Sequence, residues 1–280
     1  MAERARRAFV CGWPVAHSRS PLIHRYWLAE HDIDGSYDAV AVDPAGFDDF
    51  VGGLLEAGWA GGNVTIPHKE RAVALAERRD AAAERIGAAN TLWFENGRLH
   101  AANTDWSGFA ANLDQGAPGW REGERAVVLG AGGAARAVIH ALQIAGYRHI
   151  AIVNRTVERA QALAARFGDG VGVAPLENLG GMLADCDLLV NTTSLGMDGA
   201  PGHAFDLDRL GDRTIVTDIV YVPLVTPLLA QAAARGCVTV DGLGMLLHQA
   251  VPGFEAWFGV RPQVTDALRA LVVADMEKNK

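Results

Sequence analysis

Residues 125–154 constrain the fold more than any other part of the chain. An apolar run at Ala126–Leu129 leads into a glycine turn at Gly130–Gly133. A stretch of helical periodicity over Ala134–Ala145 follows, then a second apolar run at Ile150–Val153. Two short strands joined through a helix within about 30 residues make a βαβ crossover, and that connection sets its strands parallel. A parallel sheet is covered by helices on both faces, so the chain is committed to an α/β architecture.

The rest of the chain keeps this alternation. Strands are expected at Ala8–Cys11, Tyr37–Val42 and Asn63–Ile66, and later at Asp187–Asn191, Thr214–Ile219 and Val238–Val240. Ser20-Pro21 reads as an N-cap followed by a proline at the first helical position, and Ile66-Pro67 as another helix entry. Asn96-Gly97 between two apolar runs has the form of a two-residue hairpin turn. A further helix is expected at Glu158–Phe167, while the Gly/Pro-rich run Gln115–Glu124 reads as a surface connection. At 280 residues the chain has room for roughly two domains. Helices expected over Leu243–Phe258 and from Gln263 to Met276 would return to the N-terminal domain and make it discontinuous.

Charge and cysteine usage narrow the function. Lys and Arg number 25 against 33 Asp and Glu, a net charge of −8, which argues against a nucleic-acid partner. No apolar run approaches the ~18 residues of a spanning helix, so no membrane role is expected. The basic N-terminus lacks the apolar region of a signal peptide. Cys11, Cys186 and Cys237 are widely separated and form no CxxC, which suits buried thiols in a reducing cytoplasm rather than disulfides or zinc. His17, His24 and His31 recur every seven residues without a metal-ligand pattern; they read as helix-face histidines, and no metal is expected.

The glycine turn carries the first chemical signal. In Gly130-Ala131-Gly132-Gly133-Ala134-Ala135 the glycines let the backbone approach a pyrophosphate, whose charge then lies on the following helix N-terminus. Ala135 stands where the third glycine of GxGxxG usually falls, and a strand–helix turn without ligand would read the same way. After the second strand comes Asn154-Arg155-Thr156, with Arg159 a helical turn beyond. A carboxylate there would accept from a ribose 2′-hydroxyl, whereas an arginine pairs with a 2′-phosphate. The expected cofactor is NADP.

The N-terminal half gathers small polar residues at expected strand ends: His17-Ser18-Arg19-Ser20-Pro21, Asn63-Val64-Thr65-Ile66-Pro67-His68-Lys69, Ala88-Ala89-Asn90-Thr91 and Ala102-Asn103-Thr104-Asp105. Strand ends of an open α/β sheet are where ligands bind. The hydroxyls suit a carboxylate, and the amides suit vicinal hydroxyls. Lys69 and Asp105 are the candidate proton-transfer pair, because alcohol–ketone interconversion moves a proton as well as a hydride. Read in isolation, each is also an ordinary solvated charge.

The blocks HSxSP, NVTxPxK, AxNT, NTD, GAGGAA, NRT and DGLGMLxxQA run in order from Gly12 to Gln249, and together they resemble the shikimate dehydrogenase family. The resemblance implies an N-terminal α/β substrate domain (1–106) completed by C-terminal helices (241–280), and a Rossmann-type NADP-binding domain at 107–240. It implies reduction of 3-dehydroshikimate to shikimate by a monomer or homodimer, with a small-molecule substrate as the only partner. Lys69 and Asp105 become the catalytic pair, and Ser18, Ser20, Thr65 and Tyr221 hold the substrate carboxylate region. Asn90 and Gln249 contact the ring hydroxyls. Gly130, Ala131, Gly132, Gly133 and Ala134 cradle the pyrophosphate, while Asn154, Arg155, Thr156 and Arg159 take the 2′-phosphate. Ile219, Gly242 and Met245 line the nicotinamide end. Trp13, Ala81, Ala101 and Trp106 depart from the usual pattern. A quinate-active relative using NAD, and a non-catalytic sensor on the same fold, are the alternatives.

Overall fold

Twelve strands form two six-stranded sheets in the computed structural model, which describes residues 5–197 and 207–278. The chain divides into two compact units, Met1–Thr104 with Leu247–Lys280, and Asp105–Leu246.

In the first unit the strands are β1 (Arg6–Gly12), β2 (Gly35–Ala41), β3 (Trp59–Val64), β4 (Arg78–Arg79), β5 (Thr91–Glu95) and β6 (Arg98–Ala102). Helices α1 (Ser20–Glu30), α2 (Phe47–Gly53), α3 (Lys69–Leu75) and α4 (Ala81–Ile86) connect them. The sheet order is β2-β1-β3-β5-β6-β4. β1 is parallel to β2 and β3, whereas β5 is antiparallel to both β3 and β6. The hairpin signal holds: Glu95 pairs with Arg98, and Asn96 and Gly97 take φ of 51° and 73°, as a twisted two-residue turn requires.

In the second unit α5 (Asp105–Gly116) precedes β7 (Arg125–Leu129), α6 (Gly133–Ala145), β8 (His149–Val153), α7 (Val157–Phe167) and β9 (Val171–Ala174). Then come α8 (Leu179–Leu183), β10 (Leu188–Asn191), β11 (Ile215–Asp218), α9 (Pro227–Ala234) and β12 (Val238–Val240). All pairings in the order β12-β11-β10-β7-β8-β9 are parallel. This is a doubly wound sheet whose order reverses between β7 and β10. Alternate residues of β7 supply opposite faces: Ala126 and Val128 join one buried cluster, Val127 and Leu129 the other.

Helix α10 (Leu243–Phe258) carries the chain back to the first unit, where α11 (Asp266–Lys278) ends it. The return is bonded in: Trp257 Nε1 donates to the Leu92 carbonyl at 2.8 Å, Trp27 Nε1 to the Gln263 carbonyl at 3.1 Å, and an Arg6 guanidinium to the Trp257 carbonyl.

Several expectations are corrected. Ser20 is inside α1 rather than its cap; its backbone N–H is taken by the Ser18 hydroxyl at 3.3 Å, and no side chain caps the helix. The strand expected at Asn63–Ile66 lies at Trp59–Val64, and α11 begins at Asp266, not Gln263, because Thr265 accepts from Leu268 N and caps it there. Gln115–Glu124 is not merely surface, since Trp120 is buried and its indole donates to Asp114 at 2.7 Å. Of the three spaced histidines only His24 is within a helix, and it is fully buried, stacked on Tyr37 at 3.9 Å. All three cysteines are free and buried.

Candidate active site

In the first unit, three stretches distant in sequence meet on one buried amide. Asn90 Nδ2 donates to Gln249 Oε1 at 3.0 Å and to Thr104 Oγ1 at 2.9 Å, and Asn90 Oδ1 accepts from Thr104 N at 2.7 Å. Thr104 Oγ1 also donates to the Gln249 carbonyl at 2.7 Å. The Asn90 carbonyl is held by Val64 N and by Asn63 Nδ2. Asn63 Oδ1 in turn accepts from the Tyr37 hydroxyl at 2.6 Å. Burial pushes the Tyr37 phenol well above its ordinary range, so it stays a neutral donor. Each buried polar atom in this web has a fixed partner, which rigidifies the cluster.

Around it are the other candidates. Lys69 opens α3 and is half-buried; its carbonyl accepts from Ala89 N at 2.9 Å, which ties the lysine backbone to the segment just before Asn90. Thr65 leaves β3 half-buried, with its N–H on the Cys11 carbonyl and its methyl so close to Gly12 that no Cβ fits there. Ser18 is half-buried and Ser20 buried, joined through the Ser20 N–H. The structure therefore brings Asn90 and Gln249 into direct contact, pairs Ser18 with Ser20, and places Thr65 four residues before Lys69. Asn63, Thr104 and Tyr37 belong to this web without having been assigned a role from sequence. The first two lie inside motif blocks, whereas nothing marks Tyr37 beyond an aromatic residue in a strand.

The second unit holds the remaining candidates. Gly130 leaves β7 at φ 105°, and a Cβ there would meet Thr192 Oγ1 at 2.7 Å. Cβ atoms built on Gly132 and Gly133, where α6 begins, meet nothing within 4 Å. The turn thus leaves open room beside a helix N-terminus with no side-chain cap, flanked by half-buried Ala131 and Ala134. Asn154 at the end of β8 donates to the Thr156 carbonyl at 2.7 Å, folding the segment so that Arg155, Thr156 and Arg159 are all exposed. An open glycine cradle, followed by Asn154 in place of a carboxylate at the strand end and by two exposed guanidinium groups, fits a dinucleotide bearing a 2′-phosphate.

Ile219 and Gly242 are in backbone contact: a Cβ on Gly242 would lie 2.5 Å from the Ile219 carbonyl carbon. Met245 packs half-buried against the cluster of α5, α6 and β7. Tyr221 is half-buried, and Asp105, the first residue of α5, is buried. Asp218 at the end of β11 is a carboxylate that sequence reading passed over. It is fully buried and accepts from Asn191 Nδ2, Val220 N and Thr226 Oγ1 at 2.8, 3.0 and 2.7 Å. Burial pushes its pKa up, and these donors pull against that.

The departures from pattern find ordinary places. Trp106 is turned edge-on to His140 of α6 at 5.3 Å, Ala101 is buried in β6, and Trp13 is half exposed. Ala81 is exposed, and its neighbour Asp80 caps α4 through Ala83 N. Among the described residues no group of three His, Cys, Asp or Glu is arranged to hold a metal, and no helix is long and apolar enough to cross a membrane.

Comparison with known proteins agrees along the whole chain. Residues 10–92 match the shikimate dehydrogenase substrate binding domain, 117–197 match shikimate / quinate 5-dehydrogenase, and 242–272 match the shikimate 5′-dehydrogenase C-terminal domain. A shikimate dehydrogenase (NADP(+)) of Mesorhizobium japonicum is 63% identical over 276 residues, 99% of each chain. Among solved structures, the Thermus thermophilus shikimate 5-dehydrogenase in complex with NADP(H) and shikimate is 34% identical with a TM-score of 0.84, covering 98% of this chain and 100% of that one. The Corynebacterium glutamicum quinate dehydrogenase in complex with NAD is 30% identical with a TM-score of 0.89, covering 96% and 99%. By its motifs, its sheet topology and these full-length matches, the chain belongs to the shikimate dehydrogenase family.

Proposed function

We propose that this protein catalyses the reversible, NADP-dependent reduction of 3-dehydroshikimate to shikimate. The observation that carries the reading is the buried Asn90–Thr104–Gln249 web in the unit that also holds Lys69. It is a rigid set of amides and hydroxyls suited to a polyhydroxylated ring, beside a lysine suited to proton transfer. We take the first unit as the substrate domain and the second as the NADP domain.

NADPH, when bound, supplies the hydride that reaches the ketone carbon. Lys69 gives its ammonium proton to the ketone oxygen as negative charge builds there, and takes it back in the reverse direction. Asp105 accepts a hydrogen bond at the reacting hydroxyl. Ser18, Ser20, Thr65 and Tyr221 hold the carboxylate region, and Asn90 and Gln249 orient the ring hydroxyls. Gly130 to Ala134 present the backbone to the pyrophosphate, and Asn154, Arg155, Thr156 and Arg159 take the 2′-phosphate. Ile219, Gly242 and Met245 border the nicotinamide. The free, buried thiols suit the cytoplasm, and a monomer or homodimer suffices for this chemistry.

The test is absorbance at the NADPH band with shikimate and quinate, each offered with NADP and NAD. Shikimate with NADP should be turned over fastest, with NADP preferred at least ~10-fold in kcat/KM, since a charge-assisted contact contributes about 1.5–3 kcal/mol. Arg155→Ala should erode that preference. Faster turnover of quinate with NAD would assign the chain to the quinate-active branch, and no turnover of any pair would leave a metabolite-binding protein.

A further inference from the structure

We propose that Asp218 is a positioning residue for the nicotinamide end of the cofactor site, acting by fastening the chain segments that leave three neighbouring parallel strands. This deepens the reading above and rests on it.

Ligands of a doubly wound sheet bind beyond the carboxyl ends of its strands. Asp218 is the last residue of β11, and each of its carboxylate oxygens is engaged with the chain that continues from a strand end. Oδ1 accepts from Asn191 Nδ2, at the end of β10, and from Val220 N, in the segment that follows β11. Asn191 Oδ1 is left to hold Thr193 through both its N–H and its hydroxyl, at 3.0 and 2.8 Å, and so fixes the turn after β10. Oδ2 accepts from the Thr226 hydroxyl, whose oxygen also accepts from Leu229 N and caps α9. One carboxylate therefore clamps both ends of the segment 219–226, which contains Ile219 and Tyr221. The third strand end joins through the backbone: Gly242, just beyond β12, lies so close to Ile219 that a Cβ would also meet the Asp218 carbonyl oxygen at 2.8 Å.

A fully buried carboxylate is costly to keep in a core that needs only packing there. Three directed donors at 2.7–3.0 Å make it instead a device of fixed geometry. The segment it clamps borders the nicotinamide, whereas the 2′-phosphate residues Arg155 and Arg159 follow β8, a different strand. The two halves of the cofactor are thus held by separate parts of the chain, and only one depends on Asp218.

The experiment compares binding of NADP with binding of adenosine 2′,5′-bisphosphate, which carries the adenosine half alone, by calorimetry on the full-length protein. Asp218→Ala should weaken NADP about tenfold while leaving the bisphosphate within about twofold, as expected when hydrogen bonds at one end of a ligand site are lost. Asp218→Asn keeps the oxygen that serves Asn191 and Val220 and turns its amide to the Thr226 oxygen, so it should restore most of the NADP affinity. Should the alanine protein not fold, Thr226→Val removes only the donor to Oδ2 and should show the same one-sided loss at smaller size. Equal loss of both ligands, or unchanged NADP binding in folded Asp218→Ala and Thr226→Val proteins, overturns the inference. Failure of the unmodified protein to bind or use NADP would instead overturn the functional reading beneath it.

Discussion

Backbone bonds help to fix Lys69 in its place. It starts α3 just after Pro67 and His68, and its carbonyl is pinned by Ala89 N. Truncating the side chain should leave that scaffold standing. In the proposed mechanism its proton is needed only as charge develops on the ketone oxygen, so its contribution belongs mainly to the transition state. Lys69→Ala is expected to lower kcat by ~10²–10⁴-fold with a smaller change in KM for shikimate, measured by steady-state kinetics. A folded Lys69→Ala protein with near-normal kcat would remove the lysine from the mechanism. The neighbouring web has a different character, because Asn90 and Gln249 are bonded to each other. Asn90→Ala should therefore act on both KM and stability, the latter by about 1–3 kcal/mol from the partners left unsatisfied, read out by denaturant unfolding.

At the scale of elements, the legible parts were those whose pattern repeats. The βαβ unit, the Asn96-Gly97 hairpin and α10 could be read because apolar periodicity and turn chemistry agree there. β3 was displaced because its centre is Gly61-Gly62, a pair that reads as a turn. The strand tolerates them because Gly61 lies against the Leu92 carbonyl and the Trp257 indole, and Gly62 against the Phe9 ring. Helix α5 escaped notice because it follows directly on the polar block ending in Asp105 and is rich in small residues. Of the site, the motif blocks showed where polar groups gather but not how they bond. Tyr37 bonds Asn63, 26 residues away, and Asp218 joins Asn191, 27 residues away, to its nearer partners, distances that no local pattern spans. The start of α11 carries a prediction of its own. Thr265→Ala removes the hydroxyl that accepts from Leu268 N, and should destabilise the helix by about 0.5–2 kcal/mol, visible as faster amide hydrogen exchange over the first turn of α11.

For the whole molecule, one pH effect acts through a buried histidine that the reaction does not use. Burial lowers the His24 imidazole from its ordinary 6.5 to about 3, against a smaller opposing pull from Asn63. The native state thus keeps His24 neutral where the unfolded chain would bind a proton. Its contribution to stability is complete above about pH 6.5 and is lost as pH falls from there towards 3. Asp80 and Asp218 have raised values and act with the opposite sign, so the difference between variant and parent isolates the histidine. His24→Leu should flatten the acid limb of the stability profile by up to about one proton's slope and leave the limb above neutrality parallel to the parent's. Parallel curves throughout would mean that His24 is not held neutral by the fold. The chain leaves its first unit at Thr104 and returns to it at Leu247. During synthesis the 105–246 unit is complete on emergence, but Arg6 in β1 and Trp27 in α1 must wait for Trp257 and Gln263, their bonding partners 251 and 236 residues later. Prior folding of the inserted unit replaces a long floppy loop by a compact spacer and so lowers the entropy of bringing those ends together. On the proposed roles of the two units, the nascent protein should pass through a stage with a finished cofactor half and an unfinished substrate half, able to recognise a nucleotide before it can recognise a hydroxylated carbocyclic acid.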